Sequence, residues 1–207
     1  IGDPTITSAA TTMVSPTQIS TSSWTSVAAG LSHSMAIRSD GSLWAWGYND
    51  TGQLGHNDKT DKSSPTQVGT ATTWSKIAAG GNISIGITND GSLWTWGDNN
   101  TYGALGDYYT VPQSWTTTNT RNTVTATAIK SDGTLWAWGD NTYGQLGETT
   151  SPSVRWSVLV AGFTNTFGIK TDGTLWAWGK NTNGVTGTGG TGQVNSPSQV
   201  GTSSWIS

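Results

Sequence analysis

The sequence predicts an all-β chain built from repeated units, and three observations carry that prediction. The phrase GSLWAWGYND at 41–50 returns as GSLWTWGDNN at 91–100, GTLWAWGDNT at 133–142 and GTLWAWGKNT at 173–182. Asp-Gly pairs begin at Asp40, Asp90, Asp132 and Asp172, at intervals of 50, 42 and 40 residues. Short runs such as SVAA (26–29), SMAIR (34–38), LWAWG (43–47) and TQVG (66–69) are bounded by Gly, Asn, Asp and Ser, as strands separated by turns are. Four short strands in each 40- to 50-residue period, repeated about an axis, make a β-propeller.

The units follow from a second marker, because Trp24, Trp74, Trp115, Trp156 and Trp205 recur at steps of 50, 41, 41 and 49 residues. Residues 1–23 form an N-terminal segment whose MVSPTQISTSS (13–23) resembles the end of a preceding repeat, since SPTQVG recurs at 64–69 and SPSQVG at 196–201. The four full repeats are 24–73, 74–114, 115–155 and 156–204, and residues 205–207 look like the start of another. Within each, the Asp-Gly pair is expected to supply the positive-φ residues of a tight hairpin between the second and third strands. The third repeat is irregular. Its TTTNTRNTVTATAIK (116–130) carries one extra residue, with Asn122 near the position of Gly30, so its inner strand is expected to bulge or lose order.

A strand reading LWAWG sends Leu43 and Ala45 to one face and Trp44 and Trp46 to the other. A blade sandwiched between neighbours needs apolar cover on both faces, and the small Ala28, Ala29 and Gly30 suit the crowded strand nearest the axis. Packing asks for the same side chain in every repeat, whereas function rarely does. Trp24, Trp44, Trp46, Trp74, Trp94, Trp96, Trp136, Trp138, Trp156, Trp176 and Trp178 are therefore read as structural core. Each large aromatic can remove roughly 150 to 250 Å² from water.

Composition bounds the function. In 207 residues, 33% hydrophobic content, 10% charged residues and 28 glycines describe a globular, turn-rich chain. No run approaches the ~18 apolar residues of a membrane helix, and IGDPTITSAATTM lacks the basic start and apolar stretch of a signal peptide. Ile1 is not an initiating methionine, so a processed product or a segment of a longer protein is expected. Without cysteine the chain has no disulfides or thiolate metal sites, which leaves the redox compartment open. A net charge of -3 with nine scattered Lys and Arg argues against nucleic acid as a partner, because phosphate binding needs a clustered basic face.

The order Gly30, His33, Asp40-Gly41, Trp46-Gly47, Asn49 and Gly52-Gln53-Leu54-Gly55, with Gly144-Gln145-Leu146-Gly147 repeating the last phrase, resembles repeats of the regulator-of-chromosome-condensation family. The likeness covers nearly the whole chain. It implies a propeller, usually of seven blades, whose members include a guanine-nucleotide exchange factor, an ultraviolet photoreceptor and a secreted β-lactamase inhibitor. Four repeats are fewer than seven, so either the ring is completed by further repeats, a partner chain or self-association, or this is an unusual propeller.

Residue by residue, the family's special activities find little here. The insertions and tails that accompany exchange and chromatin binding are not seen. Only Arg155-Trp156, in reversed order, places the photoreceptor's residue types side by side. The inhibitor's loop residues cannot be mapped onto this sequence.

Enzyme chemistry has two histidines to draw on. His33 stands where Ile83 stands in the next repeat, which favours a packed or hydrogen-bonded role; His56 lies in HNDKTDKSS (56–64). That loop places Asp58 and Asp61 at a calcium-like spacing without a full ligand set, and reads as solvated. GTGGTGQ (187–193) lacks the Gly-Lys-Ser/Thr of a phosphate loop and reads as a flexible connection. No cofactor, metal or catalytic residue is expected. Where the repeats differ, Tyr48, Tyr102, Tyr108, Tyr109 and Tyr143 lie in loops and are candidates to bind a protein or glycan partner, against local loop packing as the plainer role.

The expected function is a non-enzymatic structural or adhesive propeller, extracellular or on a virion surface. The alternative is regulatory exchange on a small GTPase.

Overall fold

The computed structural model describes residues 16, 18–98, 105, 115–120, 125–147, 153–162 and 164–205. They form four antiparallel sheets. The first contains β1 (Trp24–Ala29), β2 (His33–Arg38), β3 (Leu43–Gly47) and β4 (Lys62–Gln67); the second contains β5 (Trp74–Gly80), β6 (Ile83–Thr88) and β7 (Leu93–Gly97). The third contains β8 (Trp115–Thr120), β9 (Thr125–Lys130) and β10 (Leu135–Gly139); the fourth contains β11 (Trp156–Ala161), β12 (Asn165–Lys170), β13 (Thr174–Gly179) and β14 (Val194–Ser204). Strands follow chain order within every sheet, so each is a meander, and each starts at a recurring tryptophan.

The hairpins between second and third strands work differently from the expectation. Gly41, Gly91, Gly133 and Gly173 take φ between 80° and 84°, but the aspartates before them do not adopt positive φ. Each aspartate accepts instead: Oδ1 of Asp40, Asp90, Asp132 and Asp172 takes the N–H of Ser42, Ser92, Thr134 and Thr174 at 2.9 to 3.0 Å. The Gly41 amide bonds the Arg38 carbonyl at 2.9 Å, closing a four-residue turn to which glycine adds the left-handed step.

The first strand of every sheet carries an irregularity just after its tryptophan, between Trp24 and Ser26, Trp74 and Lys76, Trp115 and Thr117, and Trp156 and Val158. A bulge is therefore common to all four sheets, not a peculiarity of the third; Asn122 lies outside the described residues. Hydroxyls occupy the bulge. Thr25, Ser75 and Ser157 donate across to the carbonyls of Ile37, Ile87 and Ile169 at 3.2, 2.9 and 3.1 Å. That bond replaces the one the ladder loses at the extra residue.

The apolar core lies between sheets. Met35, Ile37, Leu43, Ala45 and Leu54 of the first sheet pack with Ala79, Ile77, Trp74 and Trp96 of the second. Ile83, Ile85 and Ala78 then meet Ala126 and Trp138, and Ile129 meets Trp156, Leu159 and Trp178. The second and third sheets are thus blades whose two faces are covered by the blades before and after them. On the outer face of the first sheet, against which no strand packs among the described residues, Val27 is 75% exposed, while its counterpart Leu159 in the fourth sheet is 3% exposed.

The tryptophans are not uniformly buried. Trp46, Trp156 and Trp178 are buried, and Trp24, Trp44, Trp74, Trp96, Trp136, Trp138 and Trp176 are half-buried. Trp94 departs from the expectation of a core residue, being 56% exposed. The physical reason lies at the hairpin end of its blade, described below.

Candidate functional site

At the strand ends opposite the Asp-Gly hairpins, an asparagine organises the turn in the first, third and fourth blades, Gly-Gln-Leu-Gly at 52–55 and 144–147 and Gly-Val-Thr-Gly at 184–187. Oδ1 of Asn49, Asn141 and Asn181 accepts the N–H of Leu54, Leu146 and Thr186, all at 2.9 Å. In the first blade the loop braces the asparagine from outside. Asp61 Oδ1 accepts the Asn49 amide at 2.8 Å, and Asp58 Oδ1 accepts from Asn49 Nδ2 at 3.1 Å while its Oδ2 accepts from Lys62 at 3.0 Å. These aspartates hold a turn rather than wait for a cation.

Two of these turns also hold the next blade. The Gln53 carbonyl accepts from Trp96 Nε1 at 3.0 Å and from the Ser84 hydroxyl at 2.7 Å; the Gln145 carbonyl accepts from Trp178 Nε1 and the Thr166 hydroxyl, both at 2.9 Å. Because Ser84 donates to Gln53, it accepts from His33, whose Nε2–H lies 2.9 Å away. Burial lowers the His33 pKa from 6.5 to about 4, so the ring is neutral at pH 7 and serves this interblade chain.

The candidate tyrosines are scattered by the fold. Tyr48 is partly exposed and its hydroxyl donates to the Asp50 carboxylate, a bond that raises the tyrosine pKa. Tyr143 lies beneath Lys180 of the following blade, with Nζ 4.9 Å from the ring centroid, and its amide donates to Gln145 Oε1. The two sit in the first and third blades, and the structure does not bring them together. Tyr102, Tyr108 and Tyr109 lie outside the described residues. His56 Nε2 reaches only the Thr66 carbonyl, at 3.3 Å, and in the GTGGTGQ stretch the Gly190 carbonyl accepts from Asn181.

The hairpin ends carry a second recurring cluster. The last residue of the second strand is cationic in three blades and covers the first tryptophan of LWxW. Arg38 Cζ lies 5.2 Å from the Trp44 ring centroid, Lys130 Nζ 3.6 Å from Trp136, and Lys170 Nζ 3.2 Å from Trp176. The hydroxyl bound by the hairpin aspartate accepts the same indole's N–H: Ser42 from Trp44 at 2.8 Å, Thr134 from Trp136 at 3.1 Å, Thr174 from Trp176 at 2.8 Å. Hydroxyl donors also pull the aspartates below their ordinary pKa, so the carboxylates stay ionised beside the cations.

The second blade breaks this pattern. Thr88 stands in the cationic position, paired with Trp74 as Lys170 is with Trp156. Its hydroxyl donates to Asp90 at 2.6 Å, and Trp94 is left with neither the cation nor the hydroxyl bond. A cavity of about 480 Å³ opens there, between Trp74, Trp94, Thr88, Asn89, Asp90 and Ser92.

Sequence reasoning missed three parts of this geometry: the hydroxyl bond after the opening tryptophan in the first, second and fourth blades, the glutamine carbonyl joining the blades, and the cation over the indole. Two left a signal, in the Ser or Thr after Trp24, Trp74, Trp115 and Trp156, and in IRSDG, ITNDG, IKSDG and IKTDG. A backbone carbonyl leaves none.

Four meander sheets, packed face to face in chain order, with the first and second and the third and fourth tied from turn to indole, are blades of a repeat-built β-propeller. Models of the regulator of chromosome condensation (RCC1) repeat match residues 40–87 and, in a second form, 24–53, 74–104, 125–145 and 158–185. The chain belongs to the RCC1 repeat family.

Curated relatives match over about one repeat. The ultraviolet-B receptor UVR8 of Arabidopsis thaliana is 48% identical over 42 residues, 20% of this chain and 10% of the receptor. The X-linked retinitis pigmentosa GTPase regulator homolog of Caenorhabditis elegans is 51% identical over 43 residues, 21% of this chain and 3% of that protein. Among solved structures, Saccharomyces cerevisiae Prp20p superposes with a TM-score of 0.76 at 17% identity, over 89% of this chain and 52% of that one. Human WBSCR16 does so at 0.74 and 21%, over 86% and 53%. The chain spans about half of these structures and a tenth or less of these curated relatives, and at such identities the structures show the fold alone.

Proposed function

We propose that this chain is a non-enzymatic interaction module, structural or adhesive, that presents its loops and hairpins to a protein or glycan partner. One observation carries the reading. The side chains that recur from blade to blade are engaged in holding the propeller together, and both histidines are among the bonded residues. What varies between repeats is the surface at the strand ends. Proteins of the same fold point the same way: Prp20p is described with its binding to Gsp1p and histones, and yeast RCC1 is seen bound to Kap60. Low Lys and Arg content with abundant Thr, Ser, Asn and Gly supports placement on a secreted surface or a virion. The open positions of Val27 and Val160, at the outer faces of the first and last blades, support completion of the ring by further repeats, a partner chain or a second copy.

The test is the mass of the native particle, with the co-purifying partner identified and rebound to purified protein carrying Tyr48→Ala or Tyr143→Ala. The reading expects stoichiometric rebinding that these changes weaken while thermal stability holds. Exchange on a small GTPase is the second reading, resting on family resemblance. Acceleration of GDP release at sub-stoichiometric amounts of the chain would put it first.

A further inference from the structure

Three blades show what the hairpin-end pocket takes. In each, a basic side chain lies over the outer indole; in the first, Arg38 also pairs with Asp40 at 3.9 Å, and in the third and fourth, beside the Thr134 and Thr174 hydroxyls, the charges of Lys130 and Lys170 help lower the pKa of Asp132 and Asp172. The second blade keeps both recognition elements, Trp94 and Asp90, and lacks only the occupant, because Thr88 is too short and uncharged. Trp94 is exposed and without a hydrogen-bond partner, and the cavity lies open above it; the Trp74 indole N–H is unpartnered, as that of Trp156 is in the fourth blade. Thr88 and Ser92 both hydrogen-bond Asp90, whose pKa is lowered chiefly by the Thr88 hydroxyl, so it is anionic at neutral pH. An apolar sheet edge awaiting cover would present no carboxylate at its mouth, and a general aromatic platform would not be filled by a cation in every other blade.

We propose that the Trp74–Trp94–Asp90 pocket is a docking site for a lysine or arginine side chain of a partner protein, supplying in trans the cation that Arg38, Lys130 and Lys170 supply within their own blades. The ammonium or guanidinium lies against the Trp94 face, its alkyl stem rests against Trp74, and Asp90 accepts its N–H groups. This deepens the interaction reading and rests on it for the nature of the partner.

The full chain tests it by NMR, through the Trp94 indole N–H resonance, assigned by its loss in Trp94→Phe. The probes are the blocked peptide acetyl-Ser-Lys-Ser-amide, its arginine and norleucine counterparts, and a chitooligosaccharide. The expected result is a saturable Trp94 shift with the lysine and arginine peptides at millimolar concentration, at least tenfold weaker with norleucine, reduced by salt and lost in Asp90→Asn. Thr88→Lys should fill the pocket from within and remove peptide binding without loss of stability. No shift with either basic peptide, equal binding of norleucine or the sugar, or unchanged binding by Thr88→Lys overturns the proposal. Because the peptide titration reads this pocket alone, its failure discards the pocket and leaves partner binding through the tyrosine loops as a separate question.

Discussion

The second and fourth blades share a strand order and a hairpin, yet they treat the same pair of tryptophans differently. In the fourth, Lys170 caps Trp176, Thr174 takes its indole N–H, and Trp178 is buried against the Gln145 carbonyl of the blade before. In the second, Trp96 makes the same interblade bond to Gln53, but Trp94 stands open beside Thr88. The inner indole of LWxW is thus a framework residue in both blades, whereas the outer one depends on a residue in the neighbouring strand. A recurring motif does not give a recurring environment when one partner of a cluster changes.

The largest expected effect breaks that comparison at its framework half. Trp178→Ala should destabilise by about 3 to 5 kcal/mol, as for a buried large aromatic, while Trp94→Ala should change the unfolding free energy from urea denaturation by about 1 kcal/mol or less. Equal losses would mean that Trp94 is packed after all.

His33 gives the next effect. Its folded pKa is depressed to about 4 from 6.5, so below pH 6.5 the unfolded chain takes a proton that the folded chain refuses. Stability is therefore full above pH 6.5 and falls as pH drops towards 4, by on the order of 3 kcal/mol. His33→Ile, the residue of the equivalent position in the second blade, should flatten the profile in that window. The aspartates, whose pKa values are also lowered, contribute losses only below about pH 4.

Smaller losses separate the two interblade ties. Ser84→Ala leaves the buried His33 N–H without an acceptor and should cost about 1 to 3 kcal/mol, whereas Thr166→Val leaves Gln145 with its indole donor and should cost about 1 kcal/mol. Urea midpoints of the two variants, measured together, check the order. The smallest effect restores the missing cation: Thr88→Lys should stabilise by about 0.5 to 1 kcal/mol, read as a raised melting temperature that added salt reduces.

Much of the fold is legible because its determinants are local. Asp-Gly pairs, the alternation of LWAWG and the repeated opening tryptophan each act within a few residues, and they locate hairpins and blades. The aspartate's role was misjudged as backbone conformation because a side chain that accepts its own hairpin's N–H looks, in sequence, like any turn residue. The exposure of Trp94 was less legible for a different reason. It goes with Thr88, whose departure from the Arg or Lys of the other repeats is visible in ITNDG but gains meaning only once the sheet sets the end of β6 over the start of β7. The tyrosines of the variable loops were legible as candidates, but Tyr143 lies under Lys180 of the following blade, a contact between repeats that no single repeat records.

The central claim, that the inner indoles tie blade to blade while Trp94 is left open, is tested most directly by hydrogen exchange at the assigned indole N–H groups. Trp96 and Trp178, bonded to the Gln53 and Gln145 carbonyls, should exchange orders of magnitude more slowly than Trp94. Protection of Trp94 equal to that of Trp178 would contradict the account.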